Sequence, residues 1–198
     1  MANPEKFKKT KFELDVFSKI DKTWTLFLDR DGVINKKLEN DYVKDIHELQ
    51  LLPNAIKAIV ILSQFFGKII VATNQQGIGK KLMTHHNLKQ IHRYILQLVK
   101  IKGGNIDAFY YAPQLATENS NYRKPQTGMA IQAKNDFNEI DFSKSIMVGD
   151  SLTDIEFALN ANMIPVFLNH NTSSNHHNYT TPSLYAFAKM LNSILKPN

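Results

Sequence analysis

Short apolar runs alternate with longer stretches of helical period along this chain. The runs 24–28, 68–73, 106–111, 145–148 and 164–168 predict five strands. Between them, apolar residues recur three and four apart. Ala55, Ile56, Ile59, Val60 and Leu62 predict a helix opened by Pro53 and stopped by Gly67. Leu88, Ile91, Ile95, Leu98 and Val99 predict the buried side of a helix over 84–99, ended by Gly103 and Gly104. Thr127 caps a predicted helix through 138, with Met129, Ile131, Ala133 and Phe137 inward. Further helices are predicted over 152–160 and 184–195, the first opening on a capping arrangement of Ser151 and Asp154. Ahead of the first strand, Phe12, Val16, Phe17 and Ile20 predict a short amphipathic helix lying on the sheet. Strands alternating with helices point to an α/β fold with a parallel sheet covered on both faces.

The stretches without a period are equally informative. Residues 35–50 and 112–125 are long polar loops after the first and third strands, where specificity is commonly carried. The tract 169–179 is rich in Asn, His and Ser. His170, His176 and His177 lack acidic partners or regular ligand spacing, so a surface loop is the preferred reading over a metal site. The expected organisation is a basic lead with a short helix over 1–23, then one domain over 24–198 that ends in a helix.

Composition narrows the function classes. The chain has 198 residues, enough for one substantial domain, and 43% of them are hydrophobic. It contains no cysteine, which excludes disulfides, thiolate metal sites and a cysteine nucleophile. No run reaches the length of a membrane span and the N-terminus lacks an apolar signal stretch, so the cytoplasm is expected. The formal charge of +6 is compatible with an anionic ligand. The basic residues do not form one block, however. Lys6, Lys8, Lys9 and Lys11 are the densest cluster and read as a solvated face.

The candidate chemistry sits at predicted strand ends. Asp29 and Asp31 follow the first strand, with Gly32 allowing a tight turn. Thr73 and Asn74 follow the second, Arg123 and Lys124 precede the helix after the third, and Asp150 and Asp154 follow the fourth. Open parallel sheets bind ligands at this edge. Paired carboxylates there can hold a divalent metal, or one can attack while the other handles protons. With the cations added, the set contains a nucleophile, metal ligands and groups for phosphate oxygens, which are the needs of phosphoryl transfer.

These segments resemble, in order, the four motifs of the haloacid-dehalogenase superfamily. They are Asp29-Arg30-Asp31-Gly32-Val33-Ile34-Asn35, Thr73-Asn74-Gln75, Arg123-Lys124-Pro125 with Gly128-Met129, and Gly149-Asp150-Ser151-Leu152-Thr153-Asp154. Within it, the chain is most similar to the D-glycero-D-manno-heptose 1,7-bisphosphate 7-phosphatases, with histidinol-phosphate phosphatases as near relatives. The resemblance implies a three-layer Rossmann-like fold around a mostly parallel sheet, with no large cap domain. It implies Asp29 as the nucleophile and Asp31 as the acid and base. Mg²⁺ would be held by Asp29, the carbonyl of Asp31 and Asp150, with Asp154 ordering Lys124 or the outer shell. Thr73 and Lys124 would grip the phosphoryl oxygens. Arg123 would reach a sugar hydroxyl or second phosphate, and Asn74 the substrate body. Lys80 and Lys81 are weaker candidates for a distal phosphate, and Arg30 is expected at the rim or in a structural role.

The expected partner is a small phosphorylated sugar or related metabolite on a route to lipopolysaccharide or another cell-surface sugar. Neither nucleic acid nor membrane is expected as partner, and the chain is expected to be a monomer, with a dimer as the alternative. One departure stands out. The heptose and histidinol enzymes usually carry a zinc loop of pattern Cys-x-His and Cys-x-Cys before the arginine. Here those positions are Ala112, Gln114, Ser120 and Tyr122, so no structural zinc is expected. Two other readings are kept: a phosphatase of histidinol phosphate or another small metabolite, and a non-catalytic module that binds polyanions.

Overall fold

The computed structural model describes residues 15–168 and 179–196. The basic lead through residue 14 and the three histidines of the 169–178 tract lie outside the described residues. Six parallel strands form one sheet in the order β3-β2-β1-β4-β5-β6. They are β1 (Thr25–Leu28), β2 (Lys68–Asn74), β3 (Ala108–Ala112), β4 (Ser145–Gly149), β5 (Ile164–Leu168) and β6 (Thr180–Thr181). The helices are α1 (Asp15–Ser18), α2 (Ala55–Leu62), α3 (His85–Ile101), α4 (Gly128–Asp136), α5 (Leu152–Asn160) and α6 (Leu184–Leu195).

Alternation along the strands sorts the core into two layers. Leu26 and Leu28 of β1 face the layer built on α2, α3 and α6, with Ile59, Leu62, Leu88, Ile91, Phe187 and Leu191. Phe27 faces the opposite layer, with Met129, Ala130 and Ala133 of α4 and Phe157 and Ala158 of α5. The chain order reverses direction on either side of β1, between β2 and β4. That places a crevice at the carboxyl ends of these three strands, where the sheet's connections part. The loops 29–54, 75–84 and 113–127 at that edge carry no helix or strand of their own, so no separate cap stands over it.

The elements follow the expected pattern with local shifts. α2 ends at Leu62, not near Gly67, because the chain tightens there: Gln64 N–H bonds Ile61 O and Phe65 N–H bonds Leu62 O, each three residues back. Gly67 instead lets two backbones touch, since a Cβ there would lie 2.0 Å from the Lys22 carbonyl oxygen. β3 starts at Ala108, two residues late, and the Asp107 carboxylate accepts the Ile69 N–H at 2.8 Å. Ile131, expected inward, is 51% exposed, while α4 buries Met129, Ala130 and Ala133. α3 is capped by Thr84, whose hydroxyl accepts the Asn87 N–H at 3.1 Å. α1 packs against α6, with Phe17 edge-on to the rings of Phe187 and Tyr179.

Candidate active site

Each catalytic candidate is delivered by a strand tip or by the loop that follows it. Asp29 directly follows β1, and its N–H bonds the Val148 carbonyl of β4 at 3.0 Å. Gly32 then turns the chain at φ +87°, and a Cβ there would sit 2.1 Å from Oδ2 of Asp150. Only glycine lets the two loops approach so closely. Gly149 plays the same part for Asp154, whose Cβ would lie 2.1 Å from an added methyl. The start of α5 fixes Asp154 from its other side. Its Oδ2 accepts the Ser151 N–H at 3.1 Å and the Ser151 hydroxyl at 2.6 Å, so Oδ1 is turned toward Lys124.

Lys124 is the buried centre of the site, with a side-chain exposure of 2%. Its ammonium lies 2.5 Å from Asp154 Oδ1, 2.9 Å from Asp29 Oδ1 and 2.8 Å from the Ala72 carbonyl oxygen. Burial alone would pull its pKa down, but Asp154 and Asp29 overcome that and hold it above its ordinary value. Asn74 locks the segment in place. Its Oδ1 accepts the Lys124 N–H at 3.0 Å and its Nδ2 donates to the Lys124 carbonyl at 3.1 Å. The side chain expected to reach substrate therefore spends its amide on the backbone of the lysine.

One oxygen each of Asp29, Asp150 and Asp154 lies within 4.8 Å of the others. Burial pushes Asp29 up to about 7, and Asp154, Asp31 and Asp150 add to that while Lys124 opposes it. Burial and then Asp154 also raise Asp150, against the pull of Lys37. Such crowding of carboxylates is electrostatically unfavourable unless cations share it. Asp29 Oδ1 is buried and, its ion contact with Lys124 apart, accepts no hydrogen bond. An all-oxygen set with one lone pair left over fits a hard divalent cation.

Asp31 is treated differently by its surroundings. Its carboxylate accepts from Arg30 at 2.8 and 2.9 Å, from Asn35 at 2.8 Å and from Gln75 at 2.7 Å. Burial would raise its pKa, but Arg30 and these hydrogen bonds hold it below the usual carboxylate range. Arg30 is not at the rim. It is fully buried beneath Asp31 and also donates to Gln75 Oε1 at 3.2 Å.

A cavity of about 210 Å³ opens over this group, bordered by Asp29, Asp31, Thr73, Asn74, Arg123 and Lys124. Asp154, Tyr42 and Lys37 also border it. Thr73 is buried, its hydroxyl accepting from Gln75 Nε2 at 3.0 Å. Arg123 donates to the Gln114 carbonyl at 3.3 Å. Lys80 and Lys81 do not border the cavity; Lys80 lies 5.3 Å from the centre of the Tyr42 ring. The loop 112–122 is tied to its neighbour by hydrogen bonds. Gly79 N–H bonds Pro113 O at 3.2 Å, and Ala116 N–H bonds Gln76 Oε1 at 3.2 Å.

Comparison with known proteins decides the family. A family model described as polynucleotide kinase 3 phosphatase matches residues 25–193. The D-glycero-alpha-D-manno-heptose-1,7-bisphosphate 7-phosphatase of Mycobacterium tuberculosis (strain ATCC 25618 / H37Rv) is 38% identical over 137 residues, covering 69% of this chain and 72% of the relative. The chain belongs to the haloacid-dehalogenase superfamily, in the family of the heptose-bisphosphate phosphatases. Among solved structures, the D,D-heptose 1,7-bisphosphate phosphatase of B. bronchiseptica, complexed with magnesium and phosphate, superposes with a TM-score of 0.75. It is 28% identical and covers 85% of this chain and 97% of that one. The bifunctional histidine biosynthesis protein of Blochmanniella floridana is 34% identical over 137 residues, 68% of this chain and 38% of the relative.

Seen as a member of this family, the phosphatase domain carries groups that sequence reasoning passed over. Lys37, whose ammonium lies 3.2 Å from Asp150 Oδ2, sits in a polar loop without a pattern to mark it. Gln75 and Asn35 lie inside recognised motifs, but the pattern alone does not show that they aim at Asp31. His92 hides in the apolar face of α3, buried and stacked on Phe109 at 4.5 Å. Among the described residues, no helix is long and apolar enough to cross a membrane.

Proposed function

We propose that this phosphatase removes the 7-phosphate of D-glycero-D-manno-heptose 1,7-bisphosphate in a Mg²⁺-dependent reaction. The observation that carries the reading is the set of three carboxylates at the strand tips, two of them paired with buried Lys124. The 38% identity to the mycobacterial enzyme supports the choice of sugar. Asp29 attacks phosphorus and the phosphorus–oxygen bond to the sugar breaks, leaving an aspartyl-phosphate. Asp31 gives its proton to the departing sugar oxygen. It then takes one from water, which attacks the aspartyl-phosphate and releases inorganic phosphate. Arg30, Asn35 and Gln75 favour the ionised form of Asp31, which the second step needs. An anionic substrate beside it raises its proton affinity for the first.

Asp29, Asp150 and the Asp31 carbonyl would hold Mg²⁺, which when bound offsets the repulsion between the carboxylate and the phosphate. Lys124 and Thr73 neutralise and orient the non-bridging oxygens, and Asp154 positions Lys124 from behind. Arg123 presents a planar fork to a sugar hydroxyl or the second phosphate. Asn74 contributes by holding the Lys124 backbone.

Histidinol phosphate is the second reading, favoured by the 34% identity to the bifunctional histidine biosynthesis protein. Phosphate release is to be measured with Mg²⁺ on both anomers of the heptose bisphosphate, on histidinol phosphate and on a 3′-phosphorylated oligonucleotide. The heptose bisphosphate is expected to have the highest kcat/KM. A higher value on histidinol phosphate would replace the assignment, and one on the oligonucleotide would overturn the small-metabolite reading. Asp29→Asn is expected to abolish release while retaining the fold; substantial residual turnover would remove Asp29 from its role.

A further inference from the structure

The three carboxylates do not share the same cations. Asp29 and Asp154 meet buried Lys124. Asp150 instead meets Lys37, whose ammonium lies 3.2 Å from Oδ2 and 3.4 Å from Oδ1. The Lys37 side chain is 54% exposed. The carboxylate group thus lies between a fixed ammonium on its buried side and a solvated one at the cavity mouth.

The backbone that carries Lys37 is well anchored. Gly32 N–H bonds Asn35 O at 2.7 Å, and the Asn35 amide donates to Asp31 Oδ1 and to Lys36 O. Lys36 N–H bonds Gln50 O at 2.7 Å. These bonds fix the root of the side chain and leave its stem free to swing. The side chain borders the same cavity as Asp29, Thr73 and Lys124.

We propose that Lys37 is a substrate-binding cation that leaves Asp150 for a phosphoryl oxygen when a divalent ion takes the Asp150 carboxylate; this rests on the phosphatase reading above. An ammonium and a divalent ion draw on the same carboxylate lone pairs and repel one another. The ion prevails through its double charge and the second carboxylate of Asp29. The long, flexible lysine stem lets the displaced ammonium reach the next anion rather than withdraw to solvent. In the loaded cavity that anion is the phosphate. One side chain therefore has two effects of opposite sign: it weakens metal binding and strengthens phosphate binding. A lysine with only a structural role at the rim would produce neither.

The test compares the full wild-type chain with Lys37→Met and Lys37→Arg. Mg²⁺ affinity is measured by titration calorimetry without substrate. Affinity for inorganic phosphate is measured on the Mg²⁺-saturated protein, and KM and kcat on the heptose bisphosphate. In K37M, Mg²⁺ is expected to bind about three- to tenfold more tightly, as loss of a partly screened neighbouring charge implies. Inorganic phosphate is expected to bind about tenfold more weakly and KM to rise by a similar factor, the loss of one charge-assisted contact, with kcat changing less. K37R is expected to restore phosphate affinity and KM. Mg²⁺ affinity unchanged or weaker in K37M would overturn the competition for Asp150. Phosphate affinity and KM both unchanged would overturn the substrate contact. A wild-type protein that binds Mg²⁺ and phosphate but does not hydrolyse the heptose bisphosphate would reject the substrate assignment alone. The calorimetric comparisons would still decide the role of Lys37.

Discussion

Replacing Lys124 with methionine removes the ammonium while keeping a stem of similar length. Two buried carboxylates, Asp29 and Asp154, then lose the cation they share at 2.9 and 2.5 Å. The Ala72 carbonyl also loses its donor at 2.8 Å. Removing one partner of a buried ion pair costs about 3–5 kcal/mol, because the remaining charge stays out of water. An unsatisfied buried carbonyl adds about 1–3 kcal/mol. The first of these costs depends on pH. Without Lys124, Asp29 loses the pull that opposes its raised folded-state pKa, whereas in the unfolded chain an aspartate titrates near 4. A carboxyl with a raised folded pKa binds more protons folded than unfolded, so stability falls as pH rises through that window. Urea unfolding of K124M is therefore expected to show a deficit against wild type of about 1–3 kcal/mol near pH 5, from the carbonyl, and a larger one of at least about 3 kcal/mol near pH 8, where the ion-pair cost is added. Mg²⁺ is expected to recover more stability in the variant than in wild type, since the ion returns positive charge beside Asp29. An equal deficit at both pH values, or one below about 1 kcal/mol at pH 8, would show that Lys124 is not the counter-charge of the site.

Other perturbations test the surroundings of this centre. Arg30→Met strips Asp31 of its buried guanidinium; kcat is expected to fall at least about tenfold with little change in KM, and Arg30→Lys is not expected to rescue it, because a lysine lacks the planar fork. His92 is pulled well below its ordinary value by burial first and then by Arg30, with Asp31 opposing. The unfolded chain takes up that proton near pH 6.5 while the folded one does not, so His92 contributes a loss of stability of up to about 1.4 kcal/mol per pH unit below that pH. His92→Phe is expected to flatten the decline in denaturant unfolding between pH 7 and 5; identical slopes would contradict the assignment. Gly32→Ala places a Cβ against Asp150 at φ +87°. It is expected to destabilise by about 1–3 kcal/mol and to weaken Mg²⁺ binding in calorimetry.

Much of the fold is legible because its signals are local. Leu184 to Leu195 repeats at helical spacing, and the helix observed has the same bounds. The runs 145–148 and 164–168 correspond to β4, which also takes in Gly149, and to β5. Shifts occur where neighbours intervene: Ile131 satisfies helical spacing but turns to solvent, because the small residues Ala130 and Ala133 already fill the contact with the sheet. Two-residue β6 is too short to carry a period.

The same division holds for the site. By itself the sequence picked out the carboxylates and the lysine that gather at one sheet edge, because they and the turn glycines occur in short spacings that follow strands. It could not determine how those residues divide the charge among themselves. Asn74 bonding the backbone of Lys124, Gln75 reaching Asp31 and Lys37 meeting Asp150 are contacts between residues 50, 44 and 113 positions apart. They arise because β1, β2, β3 and β4 pair within one sheet and bring four loops to one edge in a fixed register. Spacing along the chain encodes a turn or a cap, whereas the distance between loops on different strands is set only when the sheet is assembled.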